Sequence, residues 1–489
     1  MLAERGIIFT KKSGGMEAGF TGCHVRGTHV YSETKGGCTM KRRVMGAWCA
    51  VFCWLAAGAV WGQTLTVDKR LEVAEVWAGC PVGFAMLTHS NRQFLAFYSA
   101  ERVMTLAERT LDAAEWTFTE LPSRLGWDSH NYVTMAVDAE GYLHVSGNMH
   151  CVPLVYFRSA RSMDSREMIS VHTMTGALER RVTYPIFMKG PDGALLFTYR
   201  DGGSGNGSQI WNRYDVVSRR WSRLLDVPLF DGQGKMNAYP KGPVKGKDGY
   251  YHLTWVWRDT PACETCHNIS YIRSRDLVNW ENAHGRPVAL PVAFGADVVV
   301  DAVPVKGGLI NPCQAVGLDG QGRVVVTYTK YDAAGNTQLM NARFEHDTWK
   351  IYQTSDWNYR WEFSGGGTII GEIGVGPVEL QDGALVQGYS HAKLGGRRWR
   401  LDEATLKPVG TMPARHRWPS EVGRKEHPHE AAGVRTASDL AADPETGVSP
   451  DGFVYRAVWE SLPANRDRPQ PGGVPEPARL RVYKLRVAP

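Results

Sequence analysis

Cysteine is scarce in this 489-residue chain and badly placed for a disulfide framework. Of the nine cysteines, Cys23, Cys38, Cys49 and Cys53 fall within the first 62 residues, a stretch that reads as leader rather than fold. The five that remain, Cys80, Cys151, Cys263, Cys266 and Cys313, are odd in number and widely spread, so the core must come from packing instead of covalent staples. Long helical heptads are missing too. Net charge is lacking once the leader is set aside: the totals of 56 Lys+Arg and 50 Asp+Glu lose eight basic and three acidic residues before position 63, leaving 48 against 47. The chain-wide charge of +6 therefore gives no argument for a nucleic-acid partner or any other polyanion. Attraction to an acidic ligand has to be local.

The leader has two parts. Residues 1–39 show no strand or helix period and read as an upstream extension. From Met40 the sequence runs MKRRVMGAWCAVFCWLAAGAVWGQ, with Lys41, Arg42 and Arg43 ahead of an apolar stretch and a cleavage-like site near Gly62. The apolar stretch is about the minimum length that could span a bilayer. The strand-like LTVDKRLEVAEVW that follows at once favours a signal peptide over residues 40–62, and hence an exported protein with no stable membrane insertion.

What is abundant is glycine (53), tryptophan (17) and tyrosine (19), in a repeating arrangement. A turn with Gly, Asp or Asn precedes an alternating apolar strand seven times, near Asn91, Gly141, Gly193, Gly249, Gly320, Gly383 and Gly452. Asp-Gly turns before period-2 strands are hairpin signals, and a lone hairpin is marginal in water. Seven such units over residues 63–489 predict an all-β fold, a single seven-bladed β-propeller of four-stranded blades. Ring closure pairs LTVDKRLEV with the last strand, ARLRVYKLRVA. SRDLVNWE, from Ser274 to Glu281, resembles a degenerate Asp-box, and ANRDRPQPGGVPEPAR reads as a long loop.

Chemistry concentrates in the second to fourth units. His130 precedes the strand NYVTMAV and His150 follows YLHVSGN, with a turn at Ala139-Glu140-Gly141 between them. In an antiparallel hairpin, the start of one strand and the end of the next share one end. The two imidazoles are therefore expected to be neighbours, flanked by Asn131 and Asn148, while His144 within the strand is a packing or surface residue. Tyr184 (VTYPIF), Arg200 (LLFTYRDGG), Tyr239 and Lys241 (MNAYPKG) occupy equivalent ends of the next units. Few carboxylates accompany them, whereas standard glycoside hydrolysis needs two. An arginine with His and Tyr suits β-elimination on a uronate: the cation neutralises the carboxylate, a base takes the C5 proton, and an acid protonates the departing oxygen. No redox cofactor is required.

The run DSHNYVTMAVDAEGYLHVSGNMHCVPLVYFRS, with VTYPIFMKGPDGALLFTYRDGGSGNG and MNAYPKGPV, resembles the BNR-repeat propeller family that includes the ulvan lyases. The resemblance covers about residues 70–400 and is strongest from Asp128 to Ser274. It implies a lyase site with paired histidines at His130 and His150, tyrosines at Tyr184 and Tyr239, and a carboxylate-neutralising Arg200. Asn131, Asn148 and Lys241 are the expected substrate-binding neighbours, and the expected partner is an acidic, ulvan-like, rhamnose-containing polysaccharide. A glycoside hydrolase or sialidase-like propeller, and a glycan-binding propeller without catalysis, remain open.

Cys263-Glu264-Thr265-Cys266-His267 matches the c-type haem attachment spacing. Its short loop between strands HLTWVWRD and NISYIRS disfavours haem. Joined by His252, Cys263, Cys266 and His267 form a Cys2His2 set suited to structural Zn2+, and the family resemblance implies a zinc on such a loop. A Cys263–Cys266 disulfide or no metal are the other readings.

Overall fold

The computed structural model describes residues 65–413, 418–426, 435–441 and 448–487. The expected extension 1–39, signal peptide 40–62 and cleavage near Gly62 lie outside them. Among the described residues no helix is long and apolar enough to cross a membrane, and only short 3-10 segments interrupt the strands.

The chain forms seven antiparallel sheets in sequence order, each built on a four-strand path. The turns explain the regularity. In the second, third, fourth and fifth sheets the first two strands are joined by a four-residue turn whose last residue is a left-handed glycine, Gly141, Gly193, Gly249 and Gly322, and the same kind of turn, ending at Gly452, precedes the strand Val454–Ser461 of the seventh. An aspartate side chain closes each turn by accepting backbone N–H bonds, as Asp138 does from Glu140 and Tyr142, and Asp319 from Gln321 and Arg323. In the fifth unit the glycine with positive φ is thus Gly322 and not its neighbour Gly320. The Ser274 segment also folds as an Asp-box-like turn. Asp276 accepts from the N–H groups of Val278 and Asn279, and Trp280 is buried behind it.

Two sheets exceed four strands. The third gains His150–Val152 at its inner edge and the short strand Phe230–Asp231; the fourth gains Val299–Asp301. The seventh joins the first and last described strands: Leu65–Val76 pairs antiparallel with Ala478–Val487, from Leu65↔Val487 to Val76↔Ala478. That is the pairing expected from the sequence. Innermost strands of successive sheets touch, Arg435–Ala441 against Ala85–His89, then Val133–Val137, then Val182–Lys189. The same holds for Asn237–Lys245, Gln314–Leu318 and Ile373–Gln381.

The core lies between sheets, so middle strands are covered on both faces and lose the simple alternation of a half-exposed strand. Tyr251–Arg258 (YHLTWVWR) is buried at every position. Trp255 and Trp257 pack there with Phe230, Trp211 and Trp280. At about 1.5–3 kcal/mol for each large side chain fully buried, these aromatic layers supply what five unpaired cysteines do not. All five thiols are free.

Candidate active site

The hairpin Val133–Val137 and Leu143–Gly147 is in the register that puts its open end at His130 and His150, with Val133 opposite Gly147. After Gly147 the chain turns through Asn148, in the left-handed region at φ 57°, and leaves the second sheet. His150–Val152 then pairs with the inner strand of the third, His150 opposite Thr183. His150 therefore sits between two sheets, one residue from Tyr184 in the ladder. Its ring stacks on His130 with centroids 4.2 Å apart and planes inclined by 27°.

Asp128 holds the pair. Each imidazole directs Nδ1 at a different oxygen of this carboxylate, His130 to Oδ1 and His150 to Oδ2, both at 2.5 Å. The Oδ1 atom also accepts the His130 backbone N–H. Burial alone would raise the pKa of Asp128, but the hydrogen bonds from both histidines outweigh it and hold the carboxyl well below its usual range. Burial likewise pushes the His150 pKa below 6.5, against the opposing pull of Asp128. With Nδ1 committed to Asp128, a neutral His150 offers Nε2 as a base.

Tyr184 comes from a β-bulge. The ladder to the next strand slips between Thr183↔Arg200 and Ile186↔Thr198, and Tyr184 itself has φ 59°. Pro185 suits that slip because it has no N–H to donate, and bulges re-aim side chains beside sites. The Tyr184 ring lies 5.9 Å from His130 and 6.5 Å from Tyr239. Burial raises its pKa well above 10, so the phenol keeps its proton.

Arg200 is 2% exposed beneath these rings. Its guanidinium is 5.0 Å from the Tyr184 centroid, and its N–H groups reach Tyr239 Oη at 3.4 Å and Thr183 Oγ1 at 3.1 Å. Among the described residues no carboxylate pairs with it; its neighbours are two phenols, a hydroxyl and the Cys151 thiol. A buried cation without a counter-ion is costly, and a bound carboxylate would relieve the cost.

The five expected catalytic residues thus form one connected cluster. The expected binding residues divide. Asn131 abuts it, its backbone carbonyl accepting from Tyr98 Oη and its Oδ1 buried without a partner among the described residues. Lys241 is exposed, two residues beyond Tyr239 on the same strand. Asn148 turns away: its amide donates to Ser123 Oγ and the Arg124 carbonyl, tying the turn to the first sheet. His144 is a packing residue, fully buried between Tyr156 Oη and Asp138.

Four residues escaped the sequence reading. Asp128 and Cys151 are local. Asp467 and Thr368 arrive from remote loops, Thr368 donating to Asp467 Oδ1 at 2.5 Å and meeting Ser129 Oγ at 2.8 Å. Asp467 Oδ2 stands 3.7 Å from His130 Nδ1. Asp128, His130 and His150 also present ligand atoms within 4.8 Å of one another, the one such group of three among the described residues.

The expected zinc set is not assembled. His252 pairs with Arg273, while Cys266 pairs with Arg258, six positions further along the same strand and roughly 20 Å away. His252 is already bonded to Tyr271 Oη and Asp248. Adjacent residues on a strand face opposite sides: Cys266 packs into the core with Tyr239 and Val256, whereas His267 bonds Asp259 and meets Phe294. These residues do not fit a shared metal.

The sequence model described as a BNR repeat-containing family member matches residues 92–357. One curated relative, the long isoform of an ulvan lyase from Alteromonas sp, is 24% identical over 277 residues, 45% of this chain and 28% of that protein. Another, the short isoform of an ulvan lyase from Alteromonas sp. (strain LOR), is 37% identical over 142 residues, 26% of this chain and 27% of that protein. The matches thus span little more than a quarter of either relative. Among solved structures, a polysaccharide lyase superposes with a TM-score of 0.54 at 15% identity, covering 86% of this chain and 99% of its own. An ulvan lyase bound to -[GlcA(1-4)Rha3S]- gives 0.51 at 13% identity, covering 81% and 97%. Both likenesses show a shared fold.

Proposed function

The chain belongs to the BNR repeat-containing family, and from that membership we propose that it is an exported polysaccharide lyase, a closed seven-bladed propeller that cleaves an ulvan-like polysaccharide by β-elimination beside a uronate. The observation that carries the reading is Arg200: a buried guanidinium with no carboxylate partner among the described residues, in contact with Tyr184 and Tyr239. The uronate carboxylate supplies the missing counter-charge. Its neutralisation acidifies the C5 proton, because the negative charge that develops on the carboxylate oxygens is stabilised in a water-poor site. His150, held neutral by burial and oriented by Asp128, takes that proton through Nε2. Tyr184, which keeps its proton, delivers it to the leaving oxygen at C4. The C4–O bond breaks as the C4–C5 double bond forms; His150 then returns its proton to solvent and the Tyr184 phenolate takes one back, which resets the site.

The ulvan lyase relatives, and the bound glucuronate–rhamnose sulfate repeat of one similar structure, support an ulvan-like substrate. A hydrolase reading finds less support. Both oxygens of Asp128 are engaged by imidazoles and Asp467 is engaged by Thr368, which leaves, among the described residues of the cluster, no pair of carboxylates free for acid and base work. The test is to incubate purified protein with ulvan, rhamnogalacturonan and glycosaminoglycans and follow the ultraviolet absorbance of unsaturated uronate. A rise on one of them supports the lyase. Binding without a rise on any supports a glycan-binding module.

The pH profile follows from the two shifts. His150 must be neutral, and its pKa is depressed below 6.5, so protonation disables the base only on the acid side of that value. Tyr184 must be protonated, and its pKa is raised above 10. We expect kcat/KM to be flat from neutrality towards pH 10, with an acid limb below pH 6.5. An alkaline limb near neutrality would remove Tyr184 as the acid.

A further inference from the structure

We propose that the groove between the outer strands of the second and third sheets is a second saccharide site, which holds anionic groups of a polysaccharide away from the catalytic cluster. It is a cavity of about 270 Å³ whose lining includes three guanidiniums, Arg158, Arg219 and Arg220, and no carboxylate. Trp221 and Met174 give it an apolar floor, and Trp221 is fixed by the bond from its ring N–H to Tyr156 Oη at 3.2 Å. Arg158 lies on the third strand of the second sheet and Arg220 on the outer strand of the third, whereas His150 and Tyr184 lie on the two strands at the opposite edge of the third sheet and Arg200 on its middle strand. The two sites are separate.

Arg158 carries the inference. One of its terminal nitrogens is pinned, donating to Tyr214 Oη at 3.0 Å and to the Arg219 carbonyl at 3.3 Å. Its Nε is buried with no hydrogen-bond partner among the described residues. No carboxylate pairs with Arg158 or Arg220 among the described residues. The edge of the guanidinium that contains Nε is the one that takes a carboxylate or sulfate in two parallel bonds. An unmade bond at a buried donor is costly, and an oxyanion would recover that cost. Arg219 stacks on Tyr142 at 4.3 Å and meets Glu140 at 3.6 Å across an exposed contact, which takes little of its charge. A cavity of about 600 Å³ between the fifth and sixth sheets shows the opposite arrangement: its Arg323 and Arg343 are already matched by Asp319, Glu345 and Glu403. Spare positive charge distinguishes the Arg158 groove. A sugar ring on the Trp221 side with an acidic group on Arg158 and Arg220 fits both halves of the lining.

The identity of the polymer rests on the lyase reading; the anionic character of the ligand does not. Binding is measured in a His150→Ala, Arg200→Gln background, which removes the catalytic cluster, using dextran sulfate for sulfate alone, polygalacturonate for carboxylate alone, and ulvan. Adding Arg158→Gln and Arg220→Gln is expected to weaken ulvan binding about tenfold or more. In the otherwise native protein the same pair raises KM for ulvan and leaves turnover of a short ulvan oligosaccharide unchanged, which also shows that the variant is folded. Arg220→Glu, at an exposed position, should weaken binding with no change at a buried residue. Whichever of the two simple polymers loses affinity identifies the group held. Unchanged affinity for all three polymers in both groove variants overturns the proposal. If no uronate polymer is cleaved but groove variants still lose dextran sulfate binding, the groove stands and the lyase reading falls.

Discussion

Arg200→Gln is expected to lower kcat on a uronate polymer by about a hundred- to a thousandfold, the scale of losing one preorganised charge-stabilising group. The loss should fall mainly on kcat, because the charge that Arg200 opposes grows as the C5 proton leaves and is largest in the transition state. Glutamine fills much of the space and leaves no uncompensated charge in a site that is 2% exposed, so the fold should survive. Arg200→Lys separates charge from geometry. Lysine keeps the charge but cannot reach Tyr239 and Thr183 with a planar fork, so its activity should fall between the two. Steady-state kinetics of the three proteins, with circular dichroism as the folding check, decide the matter. A glutamine variant with native kcat would mean that the substrate carboxylate is neutralised elsewhere.

Asp128→Asn is expected to cost about a hundred- to ten-thousandfold in kcat/KM, the range of losing a positioned general base. Asp128 accepts from two imidazoles at once, and asparagine can accept on one side only. Its NH2 would face a ring N–H, so one histidine must rotate or change tautomer, and a base with its proton on Nε2 is disabled. A second signature separates this from general damage. Asp128 raises the His150 pKa against the burial that lowers it, so removing the carboxylate should move the acid limb of the remaining activity further down in pH. An acid limb that stays in place or moves up would contradict the assignment of His150 as the base.

Asp128 also marks how far the sequence could be read. The hairpin rule placed His130 and His150 at one end, and the Val133↔Gly147 register puts them there. The same rule could not show His150 crossing to pair with Thr183, because a three-residue strand between two sheets has no periodicity of its own. An Asp two residues before a His was a readable signal for Asp128. Nothing local pointed to Thr368 and Asp467, which reach Ser129 from 239 and 338 positions away. Asn148 looked like a binding residue because it is polar and adjacent, but its left-handed backbone swings the amide towards Ser123. The Cys-x-x-Cys-His spacing misled for a related reason. On a loop it gathers ligands, whereas here its second half is already strand, and Cys266 and His267 face opposite ways. The repeat was the most legible feature, since its turns are set by Asp and Gly chemistry within four residues.

Bond cleavage by elimination at the Arg200–His150–Tyr184 cluster leaves a distinct chemical mark on the product. Proton NMR of the products from ulvan tests it most directly. Elimination gives an olefinic C4 proton and loss of the C5 proton at each new non-reducing uronate end, with neither change produced by a His150→Ala, Arg200→Gln variant. Saturated uronate ends, or unsaturated ends still produced at the native rate by that variant, would contradict it.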